Sequence, residues 1–144
     1  MPKEKEPTKE EIEIQQKLLV FQLLQNQMEQ LKQQLLLLEN RMLEIESAKQ
    51  AIDELKPSGS EKDTIVPLGS GFYIQGKVMG GKILSDIGAG ILSERNNREA
   101  NLLLEERRKE IEKLREDTEA SYNNVLNSIN SMLPELQGLA DKHK

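Results

Sequence analysis

Residues 64–93 read TIVPLGSGFYIQGKVMGGKILSDIGAGILS, and this stretch decides the fold. Its period is two: Phe72, Ile74, Gly76 and Val78 alternate with Tyr73, Gln75 and Lys77. In an extended chain such alternation sends the two sets to opposite faces. Thr64–Leu68 is a first short strand, followed by the turn Gly69-Ser70-Gly71. Gly80-Gly81 breaks the second strand. Lys82–Ile87, the turn Gly88-Ala89-Gly90 and the short run Ile91-Leu92-Ser93 complete a second unit. The pattern predicts two β-hairpins with three-residue glycine turns. Neither Gly-x-Gly leads into a helix with a following Gly, Lys or Ser/Thr, so a phosphate-binding loop is not indicated. Isolated hairpins are marginal in water and leave strand edges open. These edges call for strands from other chains, and an oligomer is expected. Ile65, Val66, Phe72, Ile74, Val78, Ile83, Ile87 and Ile91 are the residues expected to carry subunit contacts.

Outward from this hub the period changes to that of helices. Residues 1–7 hold two prolines and alternating charges, and they are expected to fray. Thr8 followed by Glu11 fits a capping box. No proline or glycine then occurs before Pro57 and Gly59. A helix over residues 8–56 follows, about 70 Å at ~1.5 Å per residue. Phe21, Leu24, Met28, Leu31, Leu35, Leu38, Met42 and Ile45 step by three and four. Lys49 interrupts this heptad ladder and Ile52 resumes it, the signature of a coiled coil. Pro57-Ser58-Gly59-Ser60 ends the helix, and Glu61-Lys62-Asp63 reads as a solvated loop. Leu18, Leu19, Val20, Phe21, Leu23 and Leu24 place apolar side chains beyond any single seam. They form either a binding patch or a wider local bundle. Leu36 and Leu37 raise the same question.

Asn96 and Glu99 form a second cap pair, and a helix over residues 96–141 is predicted. Ile111, Leu114, Thr118, Tyr122, Val125, Ile129 and Met132 continue roughly by threes and fours. Between them lie Glu105, Glu106, Arg107, Arg108, Lys109 and Glu110, read as a solvated face with local ion pairs. Pro134 is expected to kink or end the helix, and Gly138 to loosen it. If the two helices fold back on each other, facing residue numbers sum to roughly 153. Phe21 then lies beside Met132, and both helices carry surplus apolar residues at the same place. Leu18, Leu19, Phe21, Leu23, Met132, Leu133, Leu136 and Leu139 are therefore a candidate tip for binding something apolar and variable.

Composition narrows the function. The chain has 144 residues, 31% charged and only 3% aromatic, with a net charge of −5. So few aromatics argue against a dense globule, and the composition is that of long helices. The acidic balance offers no basic face for nucleic acid. Without cysteine there are no disulfides or thiolate metal sites, which suits a reducing cytoplasm. The opening stretch MPKEKEPTKEE has no apolar core of the kind a secretory leader carries, and no apolar run approaches the ~18 residues of a spanning helix, so neither a leader nor a membrane span is expected. His143, the only histidine, is expected to be a solvent-exposed tail residue rather than a ligand or base. No catalytic, cofactor or metal site is expected, because carboxylates spread along solvated helices do not preorganise one.

Helix, two hairpins and helix together resemble the prefoldin family, in the two-hairpin class of its archaeal α subunits. The residues that carry the likeness are Val66-Pro67-Leu68-Gly69-Ser70-Gly71-Phe72-Tyr73-Ile74-Gln75-Gly76 and Asp86-Ile87-Gly88-Ala89-Gly90. The resemblance implies an α+β, mostly α fold: one domain over residues 1–144, a long antiparallel two-helix coiled coil whose hairpins (residues 64–93) join an oligomeric β-barrel platform. It implies a hexamer of two α and four β subunits, tips that hold non-native polypeptide without ATP, and transfer to a group II chaperonin. The alternative is a coiled-coil scaffold or adaptor that binds one defined folded partner.

Overall fold

A computed structural model describes residue 6 and residues 8–55 and 61–142. Lys56, the stretch Pro57–Ser60 and His143 lie outside the described residues. The order is α1 (Lys9–Glu54), β1 (Glu61–Gly69), β2 (Phe72–Met79), β3 (Ile83–Asp86), β4 (Leu92–Arg95) and α2 (Asn97–Lys142). Both helices have 46 residues. This is an α+β, mostly α architecture of two long helices and two small antiparallel hairpins, as expected.

Each helix starts where its cap residues dictate. Thr8 Oγ1 accepts from Glu11 N and Glu11 Oε2 accepts from Thr8 N, both at 3.3 Å. Asn96 Oδ1 accepts from Glu99 N at 2.8 Å, and Asn96 Nδ2 donates to Glu99 Oε1 at 3.1 Å. Each box satisfies an amide that has no partner within its helix. Of the two outcomes expected at Pro134, a kink or an end, the helix does not end there: Pro134 lies inside α2.

The chain forms two compact units, Met1–Glu39 with Lys113–Lys144 and Asn40–Glu112. In the first, Ile14, Lys17, Phe21, Leu24, Met28, Leu31, Leu35 and Leu38 of α1 are all half-buried. Their counterparts on α2 are Thr118, Tyr122, Met132, Leu136 and Leu139, with Val125 and Ile129 buried. The expected heptad ladder is thus the packed seam. Leu114 is the exception on α2. It was expected in the seam and is 52% exposed. From Ile111, steps of three and four reach Thr118 through either Leu114 or Arg115, and both are exposed. Helix register against the partner, not hydrophobicity, decides which leucine is covered.

In the second unit, Ile45 and Ile52 of α1 and Ala100 of α2 are buried. Lys49 is half-buried and pairs with Glu105. Asn101 Nδ2 donates to Asp53 Oδ1 at 3.3 Å, and Asn97 Nδ2 donates to Leu55 O at 3.1 Å. In the first unit Lys17 pairs with Glu135 at 3.6 Å. The numbers of each pair add to between 152 and 154, so the antiparallel register expected from the hub is the one observed in both units.

The hairpins hold three corrections. First, Glu61-Lys62-Asp63 are strand, not loop: Glu61 pairs with Met79, Lys62 with Val78 and Asp63 with Lys77. Their charges are tolerated because the strand is an edge with water beside it. Second, the first turn is shorter than expected. Gly69 pairs with Phe72, which leaves Ser70-Gly71 as a two-residue loop and Leu68 in a register break. Ser70 and Gly71 have φ of 51° and 82°, and Ala89 and Gly90 have 52° and 75°. Gly69 and Gly88 before them are positive too, at 109° and 118°, and each central pair carries the two positive values of a type I′ turn, whose twist matches that of the strands. Third, the second hairpin shifts: Lys82, Ile87 and Ile91 fall outside the strands, whereas Glu94 and Arg95 extend β4. Ile91 N still donates to Gly88 O at 3.0 Å and closes the turn. The two hairpins are separate two-stranded sheets.

Candidate functional site

Two apolar surfaces stand out, one on the hairpins and one near the chain ends. On the first hairpin, paired residues share a face. Phe72, Ile74 and Val78 therefore lie with Val66, Thr64 and Lys62, while Tyr73, Gln75, Lys77 and Met79 lie with Pro67, Ile65, Asp63 and Glu61. Phe72 is 71% exposed and Tyr73 66%. Large aromatic side chains exposed on both faces of one hairpin are uncovered contact surface. Of the residues expected to carry assembly, Ile65, Val66, Phe72, Ile74, Ile87 and Ile91 are exposed, and Val78 and Ile83 are half-buried.

The expected set omits several exposed residues: Leu68, Tyr73, Met79, Leu84 and Leu92. Leu84 and Leu92 share the outer face of the second hairpin with Asp86 and Glu94. On its other face Arg95 Nε donates to Ser85 Oγ at 2.8 Å. Local alternation was the available signal, but it does not tell which face a neighbour covers.

Near the chain ends, the candidate tip divides into two sets. Leu18, Leu19, Leu23 and Leu133 are exposed, Leu19 by 62% and Leu23 by 61%. Phe21, Met132, Leu136 and Leu139 are half-buried and belong to the seam. Val20, read with Leu18, Leu19 and Leu23 as surplus to the seam, is exposed too, and Ile12 joins the exposed set without having been expected there. Glu13, Gln16, Lys17, Val20, Met132 and Glu135 line an open groove of about 230 Å³. That is smaller than the ~300–1,000 Å³ of a small-molecule pocket.

A charged cluster crosses the coil in the second unit. Glu105 accepts from Lys49 Nζ and from Arg108 Nη2, the latter at 2.7 Å. Arg108, and then Lys49, hold the Glu105 carboxyl down at about 2 by bonding its charged form. Among the described residues no group of three or more His, Cys, Asp or Glu is placed to hold a metal. Among them, too, no helix is long and apolar enough to cross a membrane.

Paired helices on either side of two open-faced hairpins define a coiled-coil chain with apolar surface on its hairpins and near its chain ends. The prefoldin family model, described as prefoldin subunit, matches residues 24–142, and the chain belongs to the prefoldin family. A prefoldin subunit alpha of Nitrosopumilus maritimus is 37% identical over 110 residues, 67% of this chain and 76% of that one. The prefoldin subunit alpha of Methanosarcina barkeri is 29% identical over 119 residues, 80% of this chain and 83% of its own. A filamentous PFD from Methanocaldococcus jannaschii, solved by cryo-EM, matches with a TM-score of 0.45 and 20% identity, over 85% of this chain and 96% of that chain. Prefoldin alpha proteins are chaperone subunits rather than enzymes.

Proposed function

We propose that this chain is the α-type subunit of a cytoplasmic, ATP-independent chaperone, acting as one prefoldin-like domain. Its hairpins assemble with β-type prefoldin subunits into a hexamer of two α and four β chains. Its coiled-coil tips hold non-native polypeptides, which pass to a group II chaperonin for folding. No cofactor, nucleic acid or membrane takes part. The observation that supports this best is the joint exposure of Leu18, Leu19 and Leu23 on α1 with Leu133 on α2. A non-native chain exposes apolar segments, and covering them is worth ~25 cal/mol per Å² before the cost of ordering flexible groups. One tip holds weakly. Several tips on one platform raise the effective concentration, so binding is firm in sum and reversible in each part.

The test is co-expression with a β-type subunit, mass determination, and an aggregation assay without ATP. A two-α, four-β complex that keeps many unrelated unfolded proteins soluble, and ignores their folded forms, bears the proposal out. One partner bound at fixed stoichiometry, with no such activity, makes the chain a scaffold or adaptor instead.

A further inference from the structure

Residues 12–37 of α1 carry a second ladder, on the exposed side of the helix. From Ile12 it steps by four and three through Gln16, Leu19, Leu23 and Asn26, then through Gln30 and Gln33 to Leu37. All of these are exposed, Leu37 by 60%. Such steps keep one stripe of a helix turned toward a partner helix. The packed seam of the same unit uses other residues, Phe21, Leu24, Met28 and Leu31 among them, so this stripe is spare. Its chemistry is not that of a solvated face, which carries charges. Every position on it is a large apolar residue or an amide, and residues 18–28 contain no Asp, Glu, Lys or Arg.

We infer that this stripe pairs with the same stripe of a second copy of this chain, the two α1 helices lying parallel and in register. Two chains of net charge −5 repel each other, and an uncharged stripe lets them touch where that repulsion is least. Parallel alignment sets each apolar residue on its own kind and each amide on an amide, so Asn26 and the glutamines gain hydrogen-bond partners as they lose water. The full-length antiparallel alignment, Ile12 against Leu37, sets Leu19 on Gln30 and Leu23 on Asn26 and leaves those amides unpaired. The flanks of a parallel pair agree. Gln15 meets Val20, Gln22 meets Gln27 and Glu29 meets Gln34, so no like charges oppose.

The stripe is about 38 Å long at ~1.5 Å per residue and about 10 Å wide, which covers roughly 800 Å² over both copies. A stable dimer buries ~1,200 Å² or more. The pairing is therefore weak and reversible.

Because the chain has no cysteine, one introduced thiol reports on its own copy. Gln30→Cys lies on the stripe, and Gln25→Cys is exposed but on another side of the helix. Each full-length variant is equilibrated in reduced and oxidised glutathione, and disulfide-linked dimer is measured against chain concentration. Association through the hairpins contributes to both alike. Parallel pairing predicts about ten-fold more Gln30→Cys dimer than Gln25→Cys dimer, or greater, because it raises the local thiol concentration. Adding Gln33→Glu, which opposes like charges one turn away, should remove the excess. Equal yields overturn the pairing. So does an excess found only between Leu19→Cys and Gln30→Cys chains, which marks the antiparallel alignment. If a β-type subunit or an unfolded test protein shields the Gln30→Cys thiol from maleimide and no homodimer forms, the stripe belongs to that partner and self-pairing falls. Gln30 and Gln33 lie outside the apolar cluster assigned to clients, so the pairing and the chaperone reading fail separately.

Discussion

Lys49 and Glu105 form an ion pair across the coiled coil, and Arg108, one turn further along α2, holds the same carboxylate at 2.7 Å. Lys49 stands where the heptad ladder of α1 asks for an apolar residue. A polar residue in a seam costs stability but sets register, because only one alignment supplies its partner. Here that alignment is the one Asn97 and Asn101 also select, through Leu55 O and Asp53.

Glu105 therefore links stability to pH. Its folded-state carboxyl titrates at about 2, below the ordinary 4.5, because Arg108 and Lys49 favour the charged form. A depressed carboxylate contributes stability that is present above the unfolded value and lost as pH falls toward the folded one. Glu105→Gln should lower the thermal midpoint at pH 7, and the gap from the parent should shrink between pH 4.5 and 2. Thermal unfolding followed by circular dichroism checks this. A gap that is constant over that range removes the electrostatic role.

The seam from Phe21 to Ile45, the two cap boxes and the antiparallel register were legible in the sequence. Each is a local pattern or follows from one. Glu105 and Arg108 were read as part of a solvated face with local ion pairs, and they do pair with each other; what the sequence did not show is Lys49, 56 residues away from Glu105. Glu61-Lys62-Asp63 looked like a loop because edge strands carry the same charges loops do. Leu114 and Arg115 show the limit again: the three-four rule admits either, and packing covers neither. At the tip the apolar surplus was plain, but its division into exposed and covered leucines needed the partner helix.

The turns make a second prediction. Ala89 sits at φ 52° without being glycine, a conformation that costs an L-residue roughly 1–2 kcal/mol and that asparagine adopts more readily. Ala89→Asn should stabilise the second hairpin by roughly 0.5 kcal/mol, and Ala89→Val should destabilise it by about 1 kcal/mol or more. Thermal midpoints of the assembled complex should move in opposite directions.

Ile74 tests the hub. It lies with Val66 on the first hairpin and is exposed in the single chain. Ile74→Asp places a charge where a neighbouring strand would bury it, a cost that unpaired burial makes prohibitive. Assembly with β-type subunits should be lost by mass determination, with the helical content of the chain retained. A normal complex from Ile74→Asp excludes this face from the contact.

The most direct test of the central claim changes the tip and nothing else. Leu18, Leu19, Leu23 and Leu133 are exposed, so replacing all four by serine empties no core. Each buried leucine offers ~1.5–3 kcal/mol to a client before ordering costs. The measurement is suppression of aggregation of an unfolded test protein by the assembled complex, without ATP. Tip binding predicts unchanged complex mass with at least a ten-fold loss of capacity, since avidity multiplies the loss at each tip. Full suppression by the serine variant contradicts it and places client binding elsewhere on the molecule.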